Sequence, residues 1–203
     1  MDNYKYEDFR CIVNELLKKE DYEGLIKIIN ENTELLSYNY MKDILFNSYY
    51  NLGFFDDAIL VFNTMENKDS KSKAAYLLAK MYGERIKKDN ILKKPKSESD
   101  KTNFNFYLRQ INNYKTNLYA QFILVDYYRN TRNRDKQLET LLYIADNFEL
   151  SRRKAVSIYT ELSDVYLAEG NTKESLSWAK KAVLTDEKNF NANRAMGNVL
   201  YII

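Results

Sequence analysis

The chain has 203 residues, 30 % of them charged and 45 % hydrophobic, with a net charge of +2. That balance belongs to a folded chain and not to a disordered one, and five Gly with a single Pro, Pro95, punctuate it too sparsely for an all-β fold. Histidine is absent and Cys11 is the one cysteine, which removes the commonest general base and metal ligand and excludes an internal disulfide or a thiolate zinc site.

The first ten residues alternate acids and bases around no apolar core, so they do not form a signal peptide. No apolar run approaches the roughly 18 residues that a membrane span needs. A reducing, cytoplasmic setting is therefore expected. Residues 1–60 carry twelve acids against six bases, a charge of −6, which leaves +8 for the rest of the chain. Such asymmetry suits electrostatic steering of a partner. Eighteen tyrosines supply large rings with polar tips, suited to half-buried helix faces and binding grooves.

In chain order, the pattern is a succession of helical hairpins. A first pair spans residues 5–38, with Gly24 standing 34 residues before Ala58. The second, 39–71, is clearer. Met41, Ile44, Leu45, Ser48, Tyr49 and Leu52 fall on one helical face. Gly53 permits a tight turn, and Phe55, Ala58, Ile59 and Phe62 restart the stripe. The third, 72–117, opens with Leu78, Ala79 and Tyr82 and carries about a dozen extra residues over the usual period. Its polar run around Lys93, Lys94, Pro95, Lys96, Ser97, Glu98, Ser99 and Asp100 predicts an exposed loop within 83–105. A helix from about Phe104 to Asn113 would follow, with Phe104, Leu108 and Ile111 inward. The fourth, 118–155, holds Leu124, Tyr128, Leu141 and Ile144. The fifth, 156–189, places Tyr159, Leu162, Ser163 and Tyr166 before Gly170, and Leu176, Ala179, Ala182 and Val183 after it. Asn171 followed by Glu174 forms a helix cap there. A last partial helix, 190–203, ends on Leu200, Tyr201, Ile202 and Ile203. Starts at 5, 39, 72, 118, 156 and 190 are spaced by 34, 33, 46, 38 and 34, the signature of stacked supersecondary units.

These stripes resemble the tetratricopeptide repeat. Leu45, Tyr49, Gly53, Ala58 and Phe62 match its bulky, aromatic and small positions, as do Tyr159, Leu162, Ser163, Tyr166, Gly170, Ser175, Ala179 and Ala182. Phe46 stands where that repeat has a small residue, and Glu187 where it has Pro. The resemblance implies an all-α fold, a right-handed α-solenoid of stacked antiparallel helical hairpins forming one domain over 1–203. It implies that Cys11 points inward as a structural thiol. It also implies a concave groove lined by the first helix of each hairpin: Tyr40, Asp43, Asn47, Tyr50 and Asn51, then Lys73, Tyr76 and Lys80, then Tyr119, Phe122, Asp126, Arg129 and Asn130, with Ser157, Thr160 and Asp164 further on. Tyr50, Tyr76 and Phe122 read as rings surplus to the hairpin cores, at the centre of the binding surface. The carboxylate clamp of some family members would fall on Phe9, Val13 and Ile44, which cannot form it, so capture of a chaperone tail is not expected.

The function expected is a non-enzymatic scaffold that holds a peptide segment or partner subunit, in the assembly of a protein complex and without a cofactor. Asp56 and Asp57, adjacent and so diverging, open a helix and do not form a catalytic dyad. Trp178 belongs at a core edge. The alternative from another class is nucleic-acid contact through seven bases within 85–101 (Arg85, Lys87, Lys88, Lys93, Lys94, Lys96, Lys101) and a second cluster of Arg129, Arg132 and Arg134. A peptide-sensing regulatory repeat is a further alternative. The apolar last helix suggests a cut fragment, or an end that meets a partner or a second copy.

Overall fold

In the computed structural model, residues 3–92 and 98–203 are described, with side chains from residue 7 onward. Lys93, Lys94, Pro95, Lys96 and Ser97, within the expected loop and basic run, lie outside them. Among the described residues the chain is all-helical, without strands. In order the α-helices are α1 (Asn3–Lys18), α2 (Tyr22–Glu31), α3 (Asn39–Leu52), α4 (Phe55–Thr64), α5 (Lys68–Ile91), α6 (Glu98–Gln110), α7 (Leu118–Thr131), α8 (Arg134–Asn147), α9 (Arg152–Ala168), α10 (Thr172–Thr185) and α11 (Phe190–Ile202). Short 3-10 helices, Thr33–Ser37 and Tyr114–Thr116, precede α3 and α7. No helix among the described residues is long and apolar enough to cross a membrane.

One turn recurs four times. Glu20, Gly53, Arg132 and Gly170 adopt left-handed backbone, with φ of 54°, 80°, 58° and 77°. At each, the residue's own N–H donates to the carbonyl three back, and the next residue's N–H donates to the carbonyl five back. The pairs are Glu20 to Leu17 with Asp21 to Leu16, Gly53 to Tyr50 with Phe54 to Tyr49, Arg132 to Arg129 with Asn133 to Tyr128, and Gly170 to Leu167 with Asn171 to Tyr166. This is the Schellman arrangement, which satisfies carbonyls left open at a helix end. The residue after each left-handed one then starts the next helix. Asp21, Asn133 and Asn171 cap it by accepting from the backbone N–H groups of Gly24, Lys136 and Glu174. Two residues thus end one helix and begin another. Asn67, Asn117 and Asn189 cap α5, α7 and α11 in the same manner. Asn and Asp carry punctuation that Gly and Pro carry elsewhere, each cap contributing about 1 kcal/mol.

Packing gathers into two compact units. The first holds α1 to α4, the Lys68–Met81 part of α5 and residues 103–112; the second holds residues 82–102 and 113–203. In the first unit α2 packs on both α1 and α3, and α3 on α4. Val13, Leu25, Ile29, Leu35, Met41, Ile44 and Leu45 form its buried cluster. In the second unit α8 packs on α7 and α9, and α10 on α9 and α11. Val125, Leu141, Ile144, Ile158, Leu162, Val165 and Trp178 form a core, and small residues allow closer approach beyond it. Ala179, Ala195 and Val199 make one cluster. Between α9 and α10 the buried Ser175 hydroxyl donates to the Ser163 carbonyl at 2.8 Å, so two small polar side chains sit in the interior with their bonds made.

Several sequence readings shift. Gly24 is not the counterpart of Ala58. The turns of the first two hairpins lie 33 residues apart, which pairs Ala58 with the buried Leu25. Gly24 is small for a local reason, since a Cβ there would stand 2.5 Å from the Asp21 carboxylate that caps its helix. Cys11 is exposed, not inward. α1 turns Val13 to the core, with Phe9, Leu16 and Leu17 packed against it, and no described element covers the flank bearing Cys11 and Ile12. Within the expected insertion, α5 runs unbroken through Gly83 to Ile91 and α6 begins at Glu98, so the Glu98–Asp100 end of the polar run is helical. Phe104, Leu108 and Ile111 are buried as expected. On α7 the buried residues are Ala120, Gln121, Ile123 and Val125, while Leu124 and Tyr128 are half-buried. α11 buries Ala192, Ala195 and Val199, while Gly197 is exposed.

The left-handed turns make a two-way prediction. No atom lies within 4 Å of a Cβ built on Gly53 or Gly170, so alanine there costs only the backbone term, about 1 kcal/mol. Glu20→Gly and Arg132→Gly relieve the same term and stabilise by about 0.5 kcal/mol after the entropy of glycine is counted. Chemical denaturation of the four variants measures both signs.

Candidate functional site

In the first unit, α3 is tied to α1 and to α5 by polar struts. The Tyr40 hydroxyl donates to Asn14 Oδ1 at 3.0 Å. Ser70 Oγ donates to Asp43 Oδ2 at 2.7 Å, and the Tyr50 hydroxyl donates to the Leu77 carbonyl at 3.2 Å. Tyr50 also stacks on Phe46 and meets Phe55 edge-on, with centroids 6.0 and 5.5 Å away. It is a packing residue, not a surplus ring. Tyr76 is half-buried, and Asn47, Asn51, Lys73 and Lys80 are exposed.

In the second unit, α7, α9 and α11 share an open face. Tyr119 is 59 % exposed, and Lys154 lies over its ring at 4.9 Å and over Phe122 at 5.7 Å. Phe122 packs partly buried against the core cluster, so it too is used by the fold. The Asn130 carbonyl accepts from the Asn90 amide. Arg129 donates through Nε to Glu161 Oε1 at 3.0 Å and through Nη1 to Asp126 Oδ1 at 2.7 Å. Gln137, itself buried, donates to the same Glu161 oxygen at 2.7 Å. One turn along α9, Asp164 accepts from Arg194 of α11 at 2.8 Å. Burial works against the Arg129 charge, but Glu161 and Asp126 outweigh it and hold its pKa above the ordinary value. Arg129 is thus neutralised within the fold, which leaves Arg132 and Arg134 as the remainder of the basic cluster read from sequence.

Around these pairs lies a cleft of about 440 Å³, lined by Arg129, Ser157, Thr160, Glu161, Asp164, Asn191 and Arg194 from the three helices, with Arg134 and Gln137 of α8. Among the described residues the Ser157 hydroxyl and the Asn191 side-chain amide make no hydrogen bond, and each can offer donors and acceptors to a ligand. Ser157, Thr160 and Asp164 were legible as groove positions. Glu161, Asn191 and Arg194 were not, because they are recognised by what they face across the helices. Arg194 sits in a partial last helix whose pattern gave no groove assignment. Among the described residues, no three Cys, Asp or Glu side chains converge as a metal-binding group requires. No family model matches this chain, and no curated protein matches it.

The Arg129–Glu161 pair predicts a measurable coupling. A double-mutant cycle of Arg129→Ala and Glu161→Ala, read by chemical denaturation, should give about 0.5–1 kcal/mol at low salt and less at molar salt, since both side chains remain partly solvated. Zero coupling at low salt would mean that the pair does not tie α7 to α9.

Proposed function

We propose that this chain is a non-enzymatic interaction scaffold of tetratricopeptide-like hairpins, stacked in a right-handed solenoid, that binds an extended segment of a partner protein along the open faces of its first helices. The observation that carries the reading is the cleft shared by α7, α9 and α11. Three successive first helices present polar side chains to one channel, and the ion pairs between them fix the spacing of its walls. Hydrogen-bonding side chains recur there at helical spacing, Ser157, Glu161 and Asp164 on α9 and Asn191 and Arg194 on α11. Such a wall suits the alternating N–H and C=O groups of an extended main chain. The recurring turn supports the repeat assignment, because the turns at Gly53, Arg132 and Gly170 keep the spacing of the repeat starts at 39, 118 and 156.

Display of a random peptide library against the full chain tests this. Enriched peptides should lose at least about tenfold in affinity on Ser157→Tyr or Asn191→Tyr, exposed positions where a ring obstructs the cleft, a loss equivalent to about 1.4 kcal/mol. Lys173→Ala on α10 should leave affinity unchanged. Equal affinity across all variants would remove the cleft as the site.

A further inference from the structure

A second, smaller recess lies in the first unit, between α3 and α5. Its two ends are marked by struts already described, Ser70 to Asp43 and Tyr50 to Leu77. Midway between them the facing residues are Asn47 on α3 and the small Ala74 on α5. A hole of about 180 Å³ is left there. Buried Phe46, Met65 and Ala74 with half-buried Leu77 make its apolar floor, and half-buried Asp43 and Ser70 with exposed Asn47 and Lys73 make its polar rim. The rim is fixed on the α3 side, where the Asn47 amide donates to the Asp43 carbonyl at 2.7 Å. Among the described residues, Lys73 makes no ion pair.

We propose that this recess is an anchor pocket for one leucine-sized aliphatic side chain of an extended partner peptide. Size, chemistry and enclosure point to that occupant. The volume is below the roughly 300–1,000 Å³ of sites that hold cofactors or drug-sized molecules. It is close to that of an apolar cavity of about 150 Å³ that accepts a six-carbon ring. An apolar floor under a polar rim selects a side chain that is apolar itself but carried on a hydrogen-bonding main chain. Asn47 has an amide oxygen for the N–H of that main chain, and the Lys73 ammonium stands ready for a carbonyl or carboxylate beside the anchor. Side chains buried in well-packed pockets carry most of the free energy of peptide interfaces. The two struts hold the pocket open before binding, so little ordering cost falls on the association. This inference rests on the scaffold reading, but it concerns different residues from the cleft of the second unit.

Methyl-resolved NMR of the full chain distinguishes the two. The probes are capped pentapeptides, Gly-Ser-Xaa-Ser-Gly, with Leu, Ala or Asp at the centre. The Leu peptide should shift the methyl signals of Met65, Ala74 and Leu77 saturably, with at least about tenfold higher affinity than the Ala peptide, from the apolar area it buries, and the Asp peptide should shift none of them. Ala74→Leu fills the floor and should abolish the response. Should that variant fail to fold, Asn47→Phe, at an exposed rim position, closes the mouth and should do the same. Equal responses to Leu and Asp, an unchanged response in Asn47→Phe, or no response at these three methyls would overturn the pocket. Shifts confined to Val165 and its neighbours in the second unit would overturn it while leaving the scaffold reading standing. No shift anywhere, together with failure of the library to yield a binder, would remove both.

Discussion

Each first helix that ends in a left-handed residue can hand the chain to its partner helix within two residues, and the hairpin packing depends on that. A wider connection would leave the carbonyls at the end of the first helix exposed and would let the second helix swing. With the turn closed, the residue four beyond each new cap is brought against the first helix. Those residues are Leu25, Ala58, Gln137 and Ser175, and all four are buried. Their sizes and bonds differ, so the four hairpins have different interiors built on one turn. Ser175 reaches the Ser163 carbonyl, and Gln137 reaches Glu161 of the next first helix. The α5–α6 pair has no such turn among the described residues, and it is the pair divided between the two units.

Polar struts between successive first helices form a second layer on this scaffold. Asn14 with Tyr40, and Asp43 with Ser70, serve the first unit; Arg129 with Glu161, and Asp164 with Arg194, serve the second. They are partly solvated, so each contributes modestly to stability. Their larger effect is geometric, because they set how far apart the first helices stand. Residues that look like ligand contacts by position, such as Tyr50, Asp126 and Arg129, are therefore engaged within the fold. Among the described residues, Ser157, Asn191 and Lys73 lie between the struts with side chains that make no hydrogen bond or ion pair there, and Asn47 keeps its amide oxygen open.

Much of the helical frame was legible in the sequence. The stripes over Met41–Leu52 and Tyr159–Tyr166 are regular, and Gly53 and Gly170 mark turns by composition alone. Glu20 and Arg132 do not, because charged side chains in left-handed backbone carry no compositional signal; only the Asp and Asn after them hint at a cap. Cys11 was misplaced because a period copied from an interior hairpin assumes a neighbour on both flanks. The stretch from Glu84 to Ile91 is helical despite its Lys, Asp and Asn, because these residues remain good enough helix formers to extend α5. The site was the least legible part. Its polar side chains pair across helices some 30 residues apart, as Arg129 does with Glu161, and no local pattern encodes which of them is already satisfied.

Backbone angles in solution at residues 20, 53, 132 and 170 test the recurring turn most directly. Chemical shifts with amide–α couplings of the labelled chain give φ at each, and hydrogen exchange gives the protection of the amide that follows. Positive φ at all four, with Asp21, Phe54, Asn133 and Asn171 amides protected by their bonds to carbonyls five residues back, is the expected result. Negative φ at Glu20 and Arg132, with rapid exchange at Asp21 and Asn133, would contradict it, since half of the hairpins would then be joined in some other way.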